Sequence, residues 1–138
     1  MADMEKFAAE ARQMLLDKVP QFERKFSTDF LEGRESTDIR EDIKRNVKRA
    51  MRSELFYKVK REKLVAPPTR MVYEPCTGLY RRRTESLDIL DVPKRYLDVE
   101  GLVPDLDTIV ESIHLGASRL AMETRIKEVS AESTEAEA

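Results

Sequence analysis

Ile39, Ile43, Val47, Met51, Leu55 and Val59 recur at every fourth position. That spacing selects an α-helix, because one helical turn takes 3.6 residues and places such positions on a common face. Each step of four overshoots the turn by about 40°, so the apolar stripe winds around the helix. Either a neighbour follows that winding, or different neighbours bury its two ends. Ser36-Thr37-Asp38 precedes the stripe, and Asp38 with Glu41 fits a capping box, so the spacing predicts a helix from Asp38 to about Lys63.

Three further helical stripes flank this one. Met4, Phe7, Ala8, Ala11, Met14 and Leu15 follow three- and four-residue steps and predict an amphipathic helix over 3–18. Pro20 either kinks that helix or opens a second one. Phe22, Phe26 and Phe30 then repeat every fourth residue before Gly33, a natural left-handed stop. These rings either pack under the neighbouring helices or anchor a partner. Towards the other end, Leu106, Ile109, Val110, Ile113, Ala117, Leu120, Ala121 and Thr124 predict a helix over 104–129. Gly116 beside Ala117 permits close approach. Residues 130–138 lack apolar bulk and read as a disordered acidic tail.

Residues 64–103 carry no sustained stripe and hold Pro67, Pro68, Pro75 and Pro93. They read as an extended, proline-punctuated arm. Within it, residues 70–73 and 79–81 flank Glu74-Pro75-Cys76-Thr77-Gly78, which suits a hairpin: Pro75 fits the second position of a type I turn and Gly78 a left-handed bulge. A short helical turn is expected near Lys94–Val99. The fold class is therefore mainly α: a small helical bundle with a long C-terminal helix, a central arm bearing a short hairpin, and the tail.

Charge is strongly segregated along this framework. Residues 40–83 hold fourteen Lys/Arg against five Asp/Glu, and the rest of the chain holds eleven against twenty-two. The net charge of −2 hides that opposition. Arg40, Lys44, Arg45, Lys48, Arg49 and Arg52 on the basic helix, with Arg81, Arg82 and Arg83, are the candidates for an anionic partner. The bland alternative is a solvated helix face paired internally with the acidic segments.

Catalytic chemistry finds little to build on. His114 is the only histidine and Cys76 the only cysteine, so no multi-histidine or Cys/His metal site is available to one chain. The four glycines are too scattered for a phosphate loop. No catalytic residue, cofactor or metal is expected. The apolar runs are far short of the about 20 residues that span a bilayer. Asp3, Glu5, Glu10 and Asp17 make residues 1–18 unlike a secretory leader. An intracellular setting follows, cytoplasm or nucleus by default, and a processed organellar form is compatible. Arg81-Arg82-Arg83-Thr84 also matches a basophilic kinase pattern, a kind of match common by chance.

Two functional readings remain. In the first the chain is a non-enzymatic structural or adaptor subunit that binds other protein subunits through apolar helix faces and the arm, with Phe22, Phe26, Phe30, Met71, Tyr73 and Leu79 facing the partner. A long arm without secondary structure of its own is unusual in an independent domain. In the second, the basic helix and Arg81–Arg83 bind RNA or DNA, with Tyr57, Tyr73 or Tyr80 stacking on unpaired bases. Self-association between unlike faces is open to either.

Overall fold

The computed structural model describes residues 2–137. In chain order it contains α1 (Ala2–Leu31), α2 (Ser36–Arg61), β1 (Thr69–Glu74), β2 (Leu79–Thr84), a 3-10 turn (Ile89–Asp91), α3 (Lys94–Leu97), α4 (Val99–Leu102) and α5 (Leu106–Glu137). These elements form two compact units: Met1–Met51 with Val99–Ala138, and Arg52–Asp98. The unit boundaries fall inside α2 and between α3 and α4, away from the expected limits of the arm at 64 and 103.

The first unit is a helical bundle. Arg12 pairs with Asp105, and Arg125 donates to the Phe30 carbonyl, so α1 and α5 run parallel. On α2, Ser36, Arg40 and Lys44 meet His114, Glu111 and Asp107 of α5, so these two helices run antiparallel. The core comes from α1 (Phe7, Ala11, Leu15, Phe22, Phe26), α2 (Ile39, Ile43, Val47, Met51) and α4 through α5 (Val99, Leu102, Val103, Leu106, Ile109, Val110, Ile113, Ala117, Ala121), all buried. A Cβ at Gly116 would collide with the Glu23 side chain, which fills the space beside the helix there.

The apolar stripe of α2 divides between the units. Ile39 to Met51 belong to the bundle, while Leu55 and Val59 belong to the second unit. All six are fully buried. A stripe that winds by about 40° per step is thus buried in two separate settings.

One local expectation needs correction, at Asp38, and two are refined. Pro20 lies inside α1 and starts no second helix, which leaves the first of its two readings, a helix that continues through the proline. Leu15 and Phe22 are two turns apart, so the buried face stays in phase past an exposed Pro20, and burial outweighs the missing hydrogen bond. The capping box at Asp38 does not form, because α2 already begins at Ser36 and Asp38 sits within its first turn. The Ser36 hydroxyl instead contacts His114 Nε2 at 2.9 Å. Finally, α5 continues past Val129 with helical backbone to Glu137. Alanine and glutamate supply high helix propensity even where they supply no core. Ala138 lies outside the described residues.

Helices α1 and α2 both end in a left-handed cap. Gly33 has φ +80°, with Arg34 N–H donating to the Asp29 carbonyl and Gly33 N–H to that of Phe30. This is the Schellman arrangement. The same pattern closes α2, from Leu64 to Val59 and from Lys63 to Lys60, but a lysine with φ +54° occupies the left-handed position.

The second unit contains the end of α2, the hairpin, the 3-10 turn and α3. Leu55, Lys58, Val59, Leu87 and Val92 are its buried side chains among the described residues. Lys58 Nζ reaches Glu62 Oε2 at 2.9 Å one turn on. Asp88 caps the 3-10 turn in a reciprocal box with Asp91. The hairpin pairs Thr69–Glu74 antiparallel with Leu79–Thr84, matching Tyr73 to Tyr80 and Met71 to Arg82. Its turn is closed by Thr77 N–H and Gly78 N–H, both donating to the Glu74 carbonyl, and Gly78 takes φ +70°.

Candidate functional site

The sites suggested by sequence fall into three groups with different surroundings. Phe22 and Phe26 are buried in the bundle, and Phe26 is only 2% exposed. Phe30 is half-buried and meets His114 edge-on, with ring centroids 5.1 Å apart. These rings are therefore part of the bundle rather than an accessible anchor. His114 Nε2 also lies 3.1 Å from the Ser36 carbonyl. A carbonyl can only accept, so that contact requires the hydrogen on Nε2.

The basic face of α2 is largely answered from within its own unit. Arg40 Nε lies 2.6 Å from Glu111, Lys44 Nζ 3.0 Å from Asp107, and Lys48 Nζ 2.9 Å from Glu100. Arg45 pairs with Asp42, which Arg34 also holds at 2.7 Å. The hydrogen bond to Asp107, then its charge, raises the Lys44 ammonium above the ordinary lysine value. The hydrogen bond from Arg34, then the charges of Arg34 and Arg45, holds the Asp42 carboxyl below the usual carboxylate range. Exposed pairs of this kind add little stability. Their effect here is to neutralise the stripe. Arg49 and Arg52 are exposed and, among the described residues, have no ion-pair partner.

The hairpin differs from both. Alternation along an antiparallel ladder puts Thr69, Met71, Tyr73, Tyr80, Arg82 and Thr84 on one face, and Arg70, Val72, Glu74, Leu79, Arg81 and Arg83 on the other. Met71 and Tyr73 therefore share a surface, and Leu79 lies on its reverse. Met71, Tyr73, Leu79 and Tyr80 are 59%, 52%, 67% and 66% exposed. The two tyrosine rings touch with centroids 5.3 Å apart. Every residue of β2 is exposed, and on β1 only Val72 and Glu74 reach half-burial.

Two of the hairpin's four arginines are engaged and two are not. Arg70 pairs with Glu85 at 3.1 Å and Arg81 with Glu74 at 2.8 Å. Arg82 and Arg83 have no ion-pair partner among the described residues. The sequence alone puts Met71, Tyr73 and Leu79 on a protein-facing surface, offers Tyr73 and Tyr80 as alternative base-stacking residues, and does not pair the two rings. The missing signal was register: a turn over 75–78 makes Tyr80 the cross-strand neighbour of Tyr73.

Cys76 is exposed in the hairpin turn. Among the described residues no cluster of His, Cys, Asp or Glu could hold a metal ion, and no helix is long and apolar enough to cross a membrane. Comparison with models of protein families, with curated proteins and with solved structures gives no match to this chain.

Proposed function

We propose that this protein is a non-enzymatic adaptor or structural subunit of a larger assembly, and that it docks a partner protein through its hairpin. The observation carrying this reading is the exposure of Met71, Tyr73 and Tyr80 together on one face of a two-stranded element, with Leu79 exposed on the reverse. A lone hairpin is marginal in water and gains stability by lying on something. Contiguous apolar side chains rimmed by charge mark interaction surfaces in soluble proteins.

The runner-up reading, RNA or DNA binding, is supported by a different observation. The Tyr73–Tyr80 ring pair beside Arg82 has the ingredients of a stacking platform for unpaired bases. The internal pairing of Arg40, Lys44 and Lys48 weighs against a groove-binding helix.

A salt titration of the native complex separates the two. Six to ten phosphate contacts lose roughly 10³–10⁵ in affinity between 50 and 200 mM salt. Apolar docking retains most of its affinity across that range. Alanine at Met71, Tyr73 and Leu79 should then release the partner, while charge reversal at Arg45 and Arg49 should not.

A further inference from the structure

Glu85 N–H donates to the Pro68 carbonyl at 3.0 Å, one step beyond the Thr69–Thr84 pair. Hydrogen-bonded and non-bonded pairs alternate along an antiparallel ladder. The bonded pairs are therefore Arg70–Arg83, Val72–Arg81 and Glu74–Leu79. It follows that the backbone N–H and C=O groups of Tyr80, Arg82 and Thr84 point away from β1. They form an open strand edge, and all of β2 is exposed.

The charges along this edge narrow the choice of occupant. Arg81, Arg82 and Arg83 lie consecutively on β2, and Arg83 faces Arg70 directly across the ladder. Like charges placed opposite one another weaken a sheet. Positive charge on a free edge also discourages pairing with another copy of the same strand. Two β2 edges brought together would align three arginines with three arginines, so a second copy is the wrong occupant. An acidic strand would satisfy the open amides and answer the unpaired Arg83 together.

Building on the hairpin-docking reading, we infer that the outer edge of β2 takes an extended acidic segment of a partner protein as a third strand. Backbone pairing at Tyr80, Arg82 and Thr84 supplies the register. Carboxylates on alternate residues of the segment answer Arg83, and share Arg81 with Glu74, on one face. Apolar side chains between them lie beside Tyr80 and the aliphatic stem of Arg82 on the other. This is strand addition, in which main-chain bonds give affinity and alternate side chains give specificity.

The test uses the full chain and a capped hexapeptide of alternating Glu and Val, followed through the backbone amide signals. Two isomers carry N-methyl groups, one on every Val nitrogen and one on every Glu nitrogen. The unmodified peptide should shift the Tyr80, Arg82 and Thr84 amides most. Only alternate peptide nitrogens face β2, so one methylated isomer should bind at least about tenfold more weakly while the other keeps its affinity. Equal behaviour of the two isomers would reduce the contact to charge and overturn the inference. So would the absence of any shift at millimolar peptide, or a response to a uridine oligonucleotide alone. If the native complex needs Met71 and Tyr73 yet the methylated isomers behave alike, strand addition fails and hairpin docking stands. If the native complex ignores those residues, the docking reading itself fails.

Discussion

Arg70 and Arg83 stand directly opposite each other across the hairpin ladder, and only Arg70 has a carboxylate beside it, Glu85 at 3.1 Å. The arrangement works against the isolated hairpin. Replacing Arg83 with Glu turns a like-charge pair into an opposite-charge one, worth about 0.2–1 kcal/mol. Hydrogen exchange at the Val72 and Arg81 amides should slow accordingly, while docking of an acidic partner weakens. Faster exchange in the Arg83→Glu variant would contradict this account of the pair.

The contrast between core and surface aromatics can be measured directly. Phe26→Ala should cost about 3–5 kcal/mol in denaturant unfolding, as expected for a large ring lost from a packed bundle. Tyr73→Ala, at an exposed site, should change stability by no more than about 0.5 kcal/mol. A small loss at Phe26 would return the phenylalanines to the partner-facing surface.

Arg12 holds Asp105 through Nε, 3.1 Å from both carboxylate oxygens, and Nη2, 2.8 Å from one of them. The hydrogen bond from Arg12 keeps the Asp105 carboxyl below its ordinary range. A depressed carboxyl contributes stability that is complete above the unfolded value, about pH 4, and lost as pH falls through the folded one. The stability difference between wild type and Arg12→Gln should therefore be constant near neutrality and close in acid. In the variant, the Asp105 carboxyl followed by NMR should titrate above its wild-type midpoint. An unchanged midpoint would remove the pair from the account.

Lys63 occupies the left-handed cap of α2 with φ +54°, where a Cβ is strained. Lys63→Gly should raise stability by about 1 kcal/mol, and Lys63→Val should lower it. Chemical denaturation of the three proteins checks both signs.

Much of this fold is legible locally. The four-residue steps from Ile39 to Val59 require a helix, and Gly33, Pro75 and Gly78 mark turns that adopt the expected backbone. What escaped the sequence depends on distant residues. Glu100, Asp107 and Glu111 neutralise α2 from more than fifty positions away, so the charge run looked freer than it is. The contact between Ser36 and His114 is equally remote in sequence, and the local start signal at Ser36-Thr37-Asp38 does not tell which of the three opens α2. Pro20 leaves two courses open for a related reason, since the burial that carries α1 through it comes from tertiary packing.

The docking claim is tested most directly by the native mass of the protein isolated from its source, for wild type and for a variant with serine at both Met71 and Tyr73. The account predicts a nuclease-resistant complex with other proteins for wild type and a free, folded chain for the variant. A variant that stays in the complex, or a complex dispersed by nuclease, would contradict it.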